Sequence, residues 1–218
     1  RTRRILTGTL DGIEQTTGGK TLATVSFRGF RIAIPIREML VLDERMPSGR
    51  AYADYMNRLN RILGTMLGAE IDFIVKGIDS TTHSAVASRR EAMLRKRQTF
   101  YLGKDVSGNP YIYPGRLVEA RVIAVAEKVL RVEAFGIECA IFARDLSWQW
   151  VSDVRDLYSV GDRVLVRVQE ISGEDAEHLS IRADIRSTFS ETSVDNLKKC
   201  QVQSKYAGKV TDLRGGVV

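Results

Sequence analysis

The chain has 218 residues, 44% hydrophobic and 28% charged, with a formal net charge of +6 and a pI near 9.4. That is the composition of an ordinary folded protein; it excludes gross disorder, and the length fits one to three compact domains. Two cysteines, Cys139 and Cys200, and two histidines, His83 and His178, supply neither a disulfide framework nor a metal-ligating cluster.

No apolar run is long enough to span a bilayer, and no signal-peptide pattern opens the chain. These features predict a protein of the reducing cytoplasm, without cofactor, metal or membrane. Charge is unevenly placed. Residues 1–103 hold 17 Lys+Arg against 10 Asp+Glu, residues 112–186 hold 10 against 13, and residues 196–218 hold 5 against 1. Basic ends around an acidic middle predict that phosphate attraction is strongest outside the middle segment. The chain starts at Arg1 without Met and stops at Gly215-Gly216-Val217-Val218 inside a strand pattern, which predicts part of a longer protein.

In chain order, Gly8-Thr9-Leu10 opens a first unit (1–100), with strands predicted at 22–27, 30–36 and 69–75. An insertion at about 43–67 interrupts it. There Tyr55, Met56, Leu59, Ile62, Leu63 and Met66 recur at spacings of three and four, which predicts an amphipathic helix packed on the barrel. The run 89–97 combines charge with helix formers and ends the unit. Residues 101–114, with Gly108-Asn109-Pro110, read as a linker. The second unit (115–186) is the most regular. Val118, Ala120 and Val122 alternate with Glu119, Arg121 and Ile123; Leu130 and Val132 continue, then Cys139, Ile141 and Ala143, then Val164, Val166 and Val168, and a short strand ends at Arg182. Five short strands in about 70 residues, with a longer link between the third and fourth, predict a small Greek-key barrel. Residues 187–197 read as a second linker. Gly208-Lys209-Val210-Thr211 repeats the opening of the first two units, so 198–218 is predicted to begin a third barrel.

The second unit resembles an S1 RNA-binding domain, a subgroup of the OB-fold barrels. The resemblance is carried by Gly115 with its valine-rich first strand, Gly136-Ile137-Glu138, Asp145-Leu146-Ser147, Tyr158-Ser159-Val160-Gly161-Asp162 and Leu179-Ser180-Ile181-Arg182. The first unit is similar to a divergent copy: Ile34-Pro35-Ile36-Arg37-Glu38-Met39 follows its third strand, but Leu67-Gly68-Ala69 stands where the family has "vGD". The fold so implied is mainly β, with tandem five-stranded barrels of ribosomal protein S1 type.

Such barrels bind single strands by stacking bases on aromatic rings and neutralising phosphates. The resemblance implies an aromatic on strand three, which is Phe142, and an Asp ending strand four, which is Asp79 with His83 just beyond. Outward parity adds Arg121, Arg131, Arg163 and Arg167 in the second unit. Arg28, Arg31, Arg89 and Arg90 line a possible phosphate path in the first. Each has a plainer reading. Phe142 is either a stacking ring or a rim residue covered by a neighbouring unit; His83 is a candidate contact or a loop residue; the run Arg89 to Arg97 grips phosphate or is a solvated helix face. Phe27 and Phe30 share parity with Val25, Ile32 and Ile34 and are assigned to the core. Trp148 and Trp150 are assigned to packing of the link after strand three. No nucleophile–base set, phosphate-cradling loop or paired-carboxylate pattern occurs, so an enzyme is not expected. The leading expectation is a single-stranded RNA binder, with single-stranded DNA as a possible ligand and messenger RNA on a ribosome as a possible setting. The alternatives are a protein-docking module and a nucleic-acid-binding appendage of a larger protein.

Overall fold

The computed structural model describes residues 4–16, 20–41, 47–189 and 204–205. The predicted third barrel, Cys200 and most of the second linker lie outside the described residues.

The first unit is a closed barrel. Strands β1 (Ile5–Gln15), β2 (Thr21–Phe27), β3 (Phe30–Pro35), β4 (Glu70–Asp79) and β5 (Ser84–Ser88) pair in the order β1-β2-β3-β5-β4, with β3 and β5 parallel and the other pairs antiparallel. The long β1 serves both neighbours because a bulge between Leu10 and Gly12 bends it, so its first half pairs with β4 and its second with β2. Helix α1 (Arg50–Gly64) occupies the insertion and buries Leu59 and Leu63, with Met66 just after it, against the barrel core. Phe27 and Phe30 are half-buried against the same core, as their parity predicts.

The second unit curls β6 (Leu117–Ala126), β7 (Val129–Ala134), β8 (Ile137–Phe142), β9 (Arg163–Ser172) and β10 (Ser180–Asp184) into a five-stranded sheet of order β10-β9-β6-β7-β8. Its two outer strands, β8 and β10, lie side by side, so the sheet is barrel-like. The inward residues Val118, Ala120, Val122, Leu130, Val132, Cys139, Ile141, Val164, Val166 and Val168 are those the alternation selects, and all are buried. Burial pushes the Cys139 thiol up to about 12, which keeps it an inert core residue.

The two barrels are joined without a free linker. Ser88 caps helix α2 (Arg89–Arg97), its hydroxyl accepting the Glu91 N–H at 2.9 Å, and the chain continues through a π-turn at Gln98–Leu102. Residues 101–114 then pack onto the second barrel. Tyr101 and Ile112 are buried in its core, the Tyr101 hydroxyl donates to the Ala134 carbonyl at 2.8 Å, and Phe100 sits 4.5 Å from Phe135 between ring centroids. The turn signal at Gly108 is real, yet the aromatic residues on either side outweigh it.

Two further contacts fix the barrels together. A bulge in β6 between Val122 and Ala124 turns Ile123 away from its own barrel, and Ile123 is fully buried in the core cluster of the first. Helix α2 lies on the β7–β8 hairpin, where Gly136 has φ +89° and a Cβ would overlap the Met93 carbonyl. We expect Gly136→Ala to destabilise the protein by roughly 2 kcal/mol or more in urea unfolding, from steric overlap added to left-handed strain. Gly29→Ala, with φ +81° but open space around it, should cost about 1–2 kcal/mol.

Candidate nucleic-acid interface

An OB-type barrel offers ligands the outer face of its second and third strands, here β7 and β8. Register places three cross-strand pairs along that face: Val129 opposite Phe142, Arg131 opposite Ala140, and Glu133 opposite Glu138. The two ends of the face have different fates.

At the hairpin end, Glu133 and Glu138 receive Arg89 from α2. The Arg89 side chain is 0% exposed; its guanidinium donates to Glu133 at 2.5 Å, to Glu138 at 2.8 Å and to the Met39 carbonyl at 2.7 Å. Arg121, directly opposite Glu133 on β6, donates to Glu133 at 2.8 Å and to Asp72 of the first barrel at 2.6 and 3.0 Å. Lys96 also pairs with Asp72, and Arg131 with Glu138. Arg97 donates to the carbonyls of Gly136, Ala176 and Glu177. Burial would raise the Asp72 carboxyl, but hydrogen bonds and charge from Arg121 and Lys96 hold it at about 2. Glu138 is likewise lowered against burial by Arg89 and Arg131, and burial's pull on Arg89 is overcome by Glu133 and Glu138, which raise it.

This seam places several of the candidate residues against protein partners. Arg89 is out of solvent and cannot meet a phosphate. Arg121 and Arg131 are held by carboxylates, Arg90 pairs with Glu177 at 2.7 Å, and Arg163 bridges Glu70 and Glu119 at 3.1 Å each. Arg89, Arg90, Arg121 and Arg163 thus fasten one barrel to the other. Outward parity on a strand reports which side chain leaves the core, and here that direction leads into a second barrel. Arg167 donates to the Gly115 carbonyl at 3.0 Å and to Ser187 at 3.2 Å, tying down the end of the unit.

The first-barrel candidates do come together, at the β2–β3 hairpin and the β4–β5 turn. Their partners are local. Arg28 lies over the Phe27 ring at 5.3 Å, Arg31 pairs with Glu14, and His83 packs on Phe30 with centroids 5.7 Å apart. Asp79 accepts the Thr81 and Thr82 N–H groups, which shape its own turn, and the Thr82 side chain, followed by those N–H groups, lowers its carboxyl.

At the other end of the β7–β8 face lies an open cradle. Phe142 is 50% exposed and Trp150 61% exposed. With Lys128, Ala143, Arg144, Gln149 and Val151 they line a cavity of about 370 Å³. Arg144 stands 5.8 Å over the Phe142 ring, and the Lys128 ammonium donates to the Ser152 carbonyl. Trp148 does pack inward, its ring 4.6 Å from the Arg186 guanidinium. Trp150, assigned with it to packing, does not. Its neighbour Val151 is buried, and the link in which both lie follows no strand or helix period from which this could be read.

Strand order and the curled five-stranded sheet define the second unit as an OB-type barrel. Residues 112–182 match the family described as the S1 RNA binding domain. Two solved structures resemble the chain, each with a TM-score of 0.33. One is the crystal structure of an a/eIF2alpha-aDim2p-rRNA complex from Pyrococcus horikoshii OT3, at 20% identity over 41% of this chain and 53% of that one. The other is a multidomain protein with nucleic acid binding domains from Streptococcus pneumoniae, at 10% identity over 84% of this chain and 51% of that one. The chain spans about half the length of each. Among the described residues no helix is long and apolar enough to cross a membrane.

Two outcomes test the seam. Arg89→Ala takes one of two cations from each of Glu133 and Glu138, which keep Arg121 and Arg131, and should cost about 3 kcal/mol in chemical unfolding, whereas Arg90→Ala, at a more exposed pair, should cost under about 1 kcal/mol. The second concerns acid. Asp72 falls from 3.8 to about 2 on folding, so it contributes roughly 2 kcal/mol at neutral pH. A depressed carboxyl gives its full contribution above its unfolded value and loses it as pH falls through the folded one. Stability should therefore drop between about pH 4 and pH 2, and Asp72→Asn should flatten that part of the profile.

Proposed function

We propose that this protein binds single-stranded RNA, with the Phe142–Trp150 cradle as the principal contact. The observation that carries the reading is the pair of exposed rings flanked by Lys128 and Arg144, on the strand-two and strand-three face of an S1 RNA-binding domain. A flexible single strand can splay a base onto each ring, with each stack worth roughly 1–3 kcal/mol. Lys128 and Arg144 stand where the flanking phosphates would run. Paired bases cannot reach the rings, so duplexes bind poorly. Arg28, at the exposed tip of the first barrel's hairpin, together with Arg31 and His83, adds long-range attraction rather than a stacking platform.

Within this reading the chain works in the cytoplasm and holds unstructured messenger RNA, the role that the resemblance to ribosomal protein S1 supports best. The docking-module alternative finds its use inside the molecule, since the acidic hairpin end of the second barrel receives the first barrel's Arg89.

The reading is tested by fluorescence anisotropy of a labelled ten-nucleotide oligouridylate at low salt. Phe142→Ala and Trp150→Ala should each weaken binding by roughly five- to a hundred-fold. Arg144→Ala should make the salt dependence shallower by about 0.7 in log–log slope. Unchanged affinity in both ring variants would remove the cradle from the binding site, and an equal affinity for the matching deoxyoligonucleotide would remove the preference for RNA.

A further inference from the structure

The cradle has a counterpart in the first barrel, on residues to which neither the family match nor outward parity points. In the second barrel, β8 ends at Phe142 opposite Val129, and a 3-10 turn, Ala143–Asp145, follows at once with Arg144 in its middle. In the first barrel, β3 ends at Pro35 opposite Leu22, and a 3-10 turn, Ile36–Glu38, follows at once with Arg37 in its middle. Lys128 immediately precedes β7, and Lys20 immediately precedes β2. Trp150 comes from the segment after strand three of its barrel; Tyr52 comes from the corresponding segment of the other, where α1 begins, and is 41% exposed. Lys20, Leu22, Pro35, Arg37, Tyr52 and Met56 line a cavity of about 480 Å³, comparable with the 370 Å³ of the first cradle.

We infer that this cavity is a second single-strand cradle, in which Tyr52 stacks a base and Lys20 and Arg37 hold the adjoining phosphates of the same RNA class. The inference rests on the RNA-binding reading of the Phe142–Trp150 cradle and adds a second site to it. Three features point to an occupied site rather than a fortuitous hollow. Arg37 stands two residues beyond Pro35 as Arg144 stands two beyond Phe142, Lys20 directly precedes its strand as Lys128 does though one residue further from the cross-strand pair, and both line the cavity beside Leu22, Pro35 and Met56. The aromatic ring is supplied by the inserted helix, so the insertion replaces a ring that the strand itself lacks. Pro35 stands where Phe142 does and offers an apolar edge without a π-face, so the second cradle stacks one base where the first stacks two.

Because the seam locks the barrels together, a strand long enough to reach both cradles binds the second at a high effective concentration. Short strands occupy them independently. The distinguishing experiment is a calorimetric titration of the 218-residue chain with tetrauridylate, followed by a twenty-nucleotide oligouridylate. Two tetranucleotides per chain are expected, the weaker lost in Lys20→Glu/Arg37→Glu and the tighter lost in Phe142→Ala/Trp150→Ala. Tyr52→Trp, made in a Trp148→Phe/Trp150→Phe background, should show fluorescence quenching by the tetranucleotide, since Trp148 and Trp150 are the two natural tryptophans. The Lys20→Glu/Arg37→Glu variant should also lose at least ten-fold in affinity for the long strand while melting as the parent does. One tetranucleotide per chain, blocked by Phe142→Ala/Trp150→Ala and untouched by Lys20→Glu/Arg37→Glu, would overturn the second cradle and leave the first standing. No binding of either oligonucleotide would overturn both.

Discussion

A guanidinium taken wholly out of water is tolerated only where carboxylates and carbonyls replace its hydration, and the placement of Arg89 imposes that demand on both barrels. It leaves the first residue of α2, which follows directly from β5, and ends between Glu133 and Glu138 on the second barrel's hairpin. Meeting the demand requires α2 to lie against the hairpin, which requires Gly136 at the closest approach and brings Arg97 within reach of the Gly136, Ala176 and Glu177 carbonyls. Arg121 then shares Glu133 with Arg89 and Asp72 with Lys96, so that the buried charges form one continuous set. Ile123, turned outward by a bulge one turn of the strand away, adds apolar burial to the same seam. Breaking such a buried ion set by removing one member costs more than the intact set adds to net stability, and here the set spans the two barrels.

The seam also explains the uneven charge. A basic first unit and an acidic second one look, residue by residue, like a phosphate-binding unit beside one that repels phosphate. In three dimensions much of that difference is mutual. Arg89 and Arg90 of the first unit face Glu133, Glu138 and Glu177 of the second, and Arg121 of the second faces Asp72 of the first. Glu133 and Glu138 lie at the hairpin end of the second barrel, where the partner sits, and at the opposite end Lys128 and Arg144, paired with Glu127 and Asp145, stand beside two exposed rings. The hairpin half of that strand face holds the neighbouring barrel, and its other half is where we propose that the ligand binds.

Most of the fold was legible because alternation is a direct consequence of strand geometry: Val118, Ala120, Val122, Val164, Val166 and Val168 go inward whatever else happens. The insertion helix was legible for the same reason at a period near 3.6, through Leu59, Leu63 and Met66. The site was less so. Parity identifies outward residues, but it does not distinguish water from a second barrel, so Arg121, Arg163 and Ile123 read as surface. Residues 101–114 carry proper turn signals, yet Tyr101 and Ile112 bury themselves in a core that the local sequence does not reveal. Phe142 was found because a strand-three ring has a family precedent, whereas Trp150 lies in an irregular link where no period constrains direction. Lys20 and Arg37 became visible only when the strand ends and the cavities beside them could be compared between the two barrels.

The account holds that ligand meets the end of the second–third strand face away from the hairpin, not the hairpin itself. Photocrosslinking of a 4-thiouridine-containing single strand to the chain, with the adducts located by mass spectrometry, tests this most directly. Adducts at Phe142 and Trp150, with few or none at Arg28, Phe30 or His83, are what the account predicts. Adducts concentrated on the Arg28–His83 end and absent from Phe142 and Trp150 would contradict it.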